Sequence, residues 1–216
     1  MSARRIAVVS AGLSNPSSTR MLADRLLGAT IDELRERGIE AEGRIIELRD
    51  HAHAITDHLL TGFAPKALAD DLAALAEADA IIAVTPIFTT SYSGLFKSFI
   101  DVIDRDTVAG KPVLIGATAG TPRHSLAIDY AIRPLFTYLH TRPVPTGVFA
   151  AASDWGADAD GVAPLQTRVR RGARELADAI AGAAAPTAPA DPFDPASYLG
   201  ETGSFEDLLG NLPERG

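Results

Sequence analysis

The sequence predicts an α/β fold, a doubly wound parallel sheet of five strands with helices on both faces. Three observations predict it. Apolar runs alternate with helical patterns five times within about 180 residues. The first run, Ile6-Ala7-Val8-Val9, is apolar without a break, as suits a strand buried on both sides. Strands separated by helices need crossover connections, which are right-handed and make the strands parallel.

The elements follow in order. After Ile6–Val9, residues Met21, Leu22, Leu26, Ile31 and Leu34 recur at helical spacing, and Gly38 ends that helix. Ile45 to Leu48 reads as the second strand. The stretch carrying His51, His53 and His58 has no strand or helix pattern. Ala67 to Ala78 is an Ala/Leu-rich helix, and Ala80 to Val84 is a third strand that ends at Thr85-Pro86. Leu95, Phe96, Phe99, Ile100 and Ile103 mark the next helix. Pro112 to Ala117 is the fourth strand, Leu126 to Leu139 a helix, Val144 to Ala150 the fifth strand and Val162 to Ile180 the last helix. This count fits the flavodoxin-like strand order 2-1-3-4-5. Residues 1–181 read as one domain. Residues 182–216 read as a Pro/Ala-rich linker and tail, because the run from Gly182 to Pro192 neither packs nor sustains a helix.

Composition narrows the function. The chain has 216 residues, 46% of them hydrophobic and 22% charged, enough for one sizeable core. Its net charge of −8 gives a nucleic-acid partner no electrostatic support. It has no cysteine, so disulfides, thiolate metal sites and cysteine nucleophiles are excluded. The first apolar run is too short for a leader or a membrane span, and the expected setting is cytoplasmic, without a membrane partner.

Ligands in open α/β sheets bind beyond the carboxyl ends of the strands, which directs attention to three loops. Loop one, Ser10-Ala11-Gly12-Leu13-Ser14-Asn15-Pro16-Ser17-Ser18-Thr19, runs from a buried strand into a helix whose N–H groups favour an anion. It lacks both a Walker Gly-Lys-Ser/Thr and a GxGxxG. Its hydroxyls suit the single phosphate of FMN better than ATP or FAD; an N-cap at Ser17 or Ser18 is the equal alternative. Loop two spans Thr85 to Gly94. Phe88 and Tyr92 offer flat contacts for an isoalloxazine, and Thr89, Thr90 and Ser91 offer donors. The ordinary alternative is a cap at Ser93 with Phe88 in the core. Loop three, Thr118-Ala119-Gly120-Thr121-Pro122-Arg123-His124, can turn successive N–H groups toward the pyrimidine side of a flavin, or simply lead into a helix.

The run Thr85-Pro86-Ile87-Phe88 through Ser91-Tyr92-Ser93-Gly94-Leu95-Phe96-Lys97 resembles the NAD(P)H-dependent FMN reductase family. Loop three followed by Ala127-Ile128-Asp129-Tyr130-Ala131-Ile132-Arg133-Pro134 resembles the alkanesulfonate-type members. Loop one is similar to reductases partnered with luciferase-like monooxygenases. The resemblance covers roughly residues 4 to 180. It implies hydride transfer from NADPH or NADH to FMN, with reduced FMN supplied to a flavin-dependent monooxygenase. It also implies FMN-phosphate contacts from Ser17 and Thr19, with Ser10 and Ser18 nearby. Pro86, Ile87, Phe88 and Thr89 would line the ring and ribityl chain, beside Ser91 and Tyr92. Thr118, Ala119, Gly120 and Thr121 would meet the pyrimidine edge. Leu13 stands where many relatives have serine, and Ala119 replaces a common glycine. A homodimer or homotetramer is implied, with Tyr130 at the tetramer contact; Ile100, Ile103, Ile132, Phe136 and Tyr138 fit either an interface or a core. The alternatives are a reductase that retains FMN and acts on quinones, azo compounds or metal oxyanions, and a flavodoxin-type electron carrier.

The cofactor carries the hydride chemistry, so no catalytic side chain is assigned. Nor is a metal site assigned, since the three neighbouring histidines lack an HExxH pattern. Arg123 could meet a nucleotide phosphate or remain solvated. His124 reads as a cap or core residue, Lys97 and Asp101 as a surface pair, and Trp155, near Asp154 and Asp158, as a packing residue or a flank of the flavin or of a subunit edge.

Overall fold

β1 (Arg4–Ser10) runs through the sheet interior, flanked by β2 (Ala41–Glu47) and β3 (Ala80–Phe88), all parallel. The computed structural model describes residues 3–155 and 164–182. Residues 183–216 of the expected linker and tail, Asp158 and the first two residues of the expected last helix lie outside the described residues. β5 (Pro112–Ala119) lies parallel to β3, and β6 (Arg142–Pro143) and β7 (Val148–Ala151) pair with the start and the end of β5. The resulting order, β2-β1-β3-β5-β7, is the expected 2-1-3-4-5 arrangement.

Alternation along the strands divides the core into two clusters. Ala7, Val9, Ile81, Ala83, Val113 and Ile115 face one side. There they meet Ile55 of α2 (Ala52–Thr61), Leu68 and Leu75 of α3 (Lys66–Glu77), and Phe96 and Phe99 of α4 (Gly94–Ile100). The same layer continues through the short α5 (Arg105–Val108) to Phe136 of α6 (Arg133–Tyr138). Ile6, Val8, Ile82, Val84 and Leu114 face the other side, against Leu22, Leu26 and Leu34 of α1 (Ser18–Glu36) and Leu176 and Ile180 of α7 (Leu165–Ala181).

Several boundaries differ from expectation. The stretch read as patternless is a 3-10 turn, Leu48–His51, leading into α2. Only Ile55 of that helix is fully buried, so its apolar period is too sparse to read. β2 begins at Ala41 because an edge strand tolerates Glu42 and Arg44 on an open face. β3 continues through Pro86 to Phe88 and then turns back as β4 (Ser91–Tyr92). The helix expected over Leu126–Leu139 is a π-helical turn, Ile128–Ile132, followed by α6; Pro134, near the start of α6, has no N–H to donate there. The helix after β3 stops at Ile100 rather than Ile103, and the fifth strand is shortened to Val148–Ala151.

The end of the sheet opposite the strand C-termini is fastened by a buried lysine. Lys111 donates from Nζ to the carbonyls of Leu75 (3.1 Å), Ala78 (2.8 Å) and Ala76, closing the C-terminus of α3 onto the start of β5. Burial lowers the Lys111 ammonium below the ordinary lysine value, and Asp79 and Glu77 oppose that shift.

Candidate functional site

The three loops leave adjacent strands at matched heights. Ser10 is in register with Val84, Val84 with Gly116, and two residues further out Pro86 with Thr118. They therefore open on one rim of the sheet.

Loop one is drawn tight against β3 by a hydrogen bond from Ala11 N–H to the Val84 carbonyl (2.9 Å). A Cβ on Gly12 would lie 2.0 Å from Ser17 Oγ, so only glycine lets the backbone pass that hydroxyl. Ser17 is the N-cap of α1, its Oγ accepting from Arg20 N–H at 3.2 Å. The cap reading of Ser17 is thus realised, and Ser18 is exposed just beyond it. Ser10 is completely buried, and its Oγ has no hydrogen-bond partner among the described residues. A buried hydroxyl without a partner is costly, so such a group marks a place where something else binds or where strain is stored. Arg20 is occupied by Asp24 (2.9 Å) and by Glu47; the bond to Asp24, more than the one to Glu47, raises its guanidinium further above the usual value.

Loop two is a hairpin with two residues at its tip, Thr89 (φ 49°) and Thr90 (φ 70°). Two-residue hairpins whose residues both have positive φ normally carry Asn-Gly, and β-branched residues are strained there. Phe88 stands at the mouth, 48% exposed, instead of in the core as the ordinary alternative had it. Tyr92 is half-buried and packs on Phe96, with ring centroids 6.2 Å apart. Below them Thr85, fully buried, accepts from Ser93 N–H at 3.1 Å, and Ser93 caps α4 by accepting from Phe96 N–H at 3.2 Å. The load on Thr85 leaves no mark in the sequence, because a threonine before proline carries no signal of a partner eight residues on. Pro86 and Ile87 are buried between these groups.

Loop three begins at Thr118, whose Oγ1 lies 2.8 Å from Thr19 Oγ1; both residues are buried. Ala119 is half-buried. A Cβ on Gly120 would meet nothing within 4 Å, so the space beside it is open. Thr121 caps the 3-10 turn Pro122–His124, accepting from Arg123 N–H at 3.1 Å. The capping role expected of His124 falls to Thr121, and His124 is half-buried at the end of that turn. Arg123 is exposed on the same turn.

The structure thus gathers Ser10, Ser17, Thr19 and Thr118 at the base of the rim, with Phe88, Thr89, Gly120 and Thr121 toward solvent. The histidines do not converge: His51 Nε2 lies 2.7 Å from Asp71, which also accepts from Arg44, while His53 is exposed. Lys97 and Asp101 form the expected surface pair at 2.5 Å. Trp155 packs beside the α1–α7 core with Arg25 over its ring at 4.7 Å.

A family model described as NADPH-dependent FMN reductase matches residues 4–156. The chain is 33% identical over 178 residues to the FMN reductase (NADPH) of Pseudomonas aeruginosa, covering 82% of this chain and 93% of that one. It is 33% identical over 165 residues to the NADH-dependent FMN reductase SfnE of Pseudomonas putida, covering 76% and 86%. Among solved structures, an oxidoreductase from Corynebacterium diphtheriae superposes with a TM-score of 0.80 at 41% identity, covering 84% of this chain and 99% of that one.

Proposed function

This chain belongs to the NADPH-dependent FMN reductase family, and from that premise we propose that it reduces FMN with NADPH or NADH and passes the reduced flavin to a separate flavin-dependent monooxygenase. The enzyme is an NAD(P)H:FMN oxidoreductase. The observation that carries the reading is Ser10: a fully buried hydroxyl with no partner among the described residues, at the foot of a loop whose glycine lets the backbone pass Ser17 Oγ. Such a hydroxyl fits a ligand that arrives with acceptor oxygens, as a phosphate ester does.

In this reading Ser17, Thr19 and the free N–H groups of the first turn of α1, with Ser10 and Ser18 nearby, hold the phosphate, where the helix dipole favours negative charge. Pro86, Ile87, Phe88, Thr89, Ser91 and Tyr92 flank the ring and ribityl chain. Thr118, Ala119, Gly120 and Thr121 border the pyrimidine edge, and the open space at Gly120 admits a flat ring close to the backbone. FMN, when bound, supplies the hydride-accepting chemistry. The chain's own work is to orient the ring and leave one face open for the nicotinamide. The activity resides in residues 1–181, in a cytoplasmic setting.

The test is oxidation of NADPH and of NADH by the purified full chain with FMN, FAD or riboflavin. Turnover with FMN as a dissociable substrate, preferred over riboflavin, is expected. No nucleotide oxidation with any flavin would overturn the reading; tightly retained FMN with turnover of a quinone would redirect it to another acceptor.

Assembly is proposed from one face. Leu126, Tyr130 and Tyr138 are 63%, 79% and 74% exposed, and a groove of about 540 Å³ beside Tyr138 is lined by Ile100, Ile103 and Leu135. Ile132 and Phe136 are in the core, so they leave the set of interface candidates. We assign the exposed aromatics to a homodimer or homotetramer contact.

A further inference from the structure

We infer that Thr19 and Thr118 form a positioning bridge that fixes the phosphate-side loop relative to the ring-edge loop. The inference rests on the FMN reading above. Thr19 lies in the first turn of α1 and Thr118 at the end of β5, 99 residues apart, with β3 between β1 and β5 in the sheet. Their Oγ1 atoms are 2.8 Å apart, and the residues are 2% and 3% exposed. A hydroxyl has one proton to give, and here one of the two protons is spent inside the pair. The bridge therefore ties together the two segments proposed to hold opposite ends of one ligand.

Each segment also has its own anchor. Loop one is fixed to β3 through Ala11 N–H and the Val84 carbonyl, and loop three is closed by the Thr121 cap. α1 is seated on the sheet by Leu22 and Leu26, and the hydroxyl pair adds the polar link that sets how its first turn sits against the end of β5. A ligand that uses both segments feels this placement; one that uses only the ring-edge segment does not. FMN and riboflavin differ by just that phosphate, so the bridge is expected to set the discrimination between them.

The experiment measures Kd for FMN and for riboflavin by flavin fluorescence on the full chain, for wild type, Thr19→Val, Thr118→Val, the double variant and Thr118→Ser, with thermal melts alongside. Each valine variant is expected to weaken FMN about tenfold, the usual consequence of a lost buried hydrogen bond, and riboflavin much less. The double variant should be no weaker than either single one, because the same contact is lost once. Thr118→Ser should restore FMN affinity. Additive losses would mean that each hydroxyl meets the ligand separately, and equal losses for both flavins, or a fall in melting temperature alone, would mean a purely structural pair; any of these overturns the inference. A wild-type chain that binds neither flavin would instead remove the FMN reading, and this inference with it.

Discussion

Ser10→Ala removes a hydroxyl that bonds nothing within the described chain, so the free protein should gain about 1 kcal/mol while losing about tenfold in FMN affinity. Denaturant melts and flavin titration check the two arms, and a variant that loses stability would show that the hydroxyl has a partner after all. Gly12→Ala acts differently. Its methyl carbon would fall on Ser17 Oγ, so the cap or the loop must move, at a cost of about 1–3 kcal/mol and with weaker FMN binding. At this scale the sequence was half legible. The hydroxyls of loop one stood out by composition, and Ser17 announced its cap by preceding a helical run. The commitment of Thr19 to Thr118 was not legible, because partners 99 residues apart share no local signal. Phe88 was uncertain for a related reason: whether an aromatic near the end of a strand faces core or solvent depends on where the strand stops, and β3 runs further than its apolar run suggested.

Among the elements, the loop-two hairpin has the most evident strain. Replacing Thr89-Thr90 by Asn-Gly gives both tip positions residues suited to positive φ and should stabilise the free protein by about 1 kcal/mol. If the threonine side chains contribute to binding, flavin affinity falls in the same variant; chemical denaturation and titration of one preparation separate the two effects. Lys111→Met leaves the carbonyls of Leu75, Ala76 and Ala78 without their shared donor and should cost about 2–3 kcal/mol by the same melts. Central strands were readable because burial on both faces makes them apolar throughout. α2 was not, because a helix that fully buries only Ile55 carries too faint a period.

For the whole molecule, the count of alternating strands and helices fitted the order 2-1-3-4-5 without ranking the strands in space, and the rim followed from that order. Association was less accessible, since an aromatic side chain looks the same in a core and at a contact; Phe136 and Tyr138, two residues apart, proved to be 2% and 74% exposed. Tyr138→Glu should shift the chain toward a smaller species by light scattering, with the monomer still folded, and an unchanged mass would remove that face from the interface. The position of the Lys111 fastening has a practical consequence. It sits at the far end of the strands from the loops that face the ligand, so cohesion and chemistry occupy opposite poles of the sheet. Chimaeras that graft foreign loops between β1 and α1 or after β5 can therefore change the acceptor served while the scaffold keeps its clasp, which gives an engineer room to re-specify this enzyme without first rebuilding it.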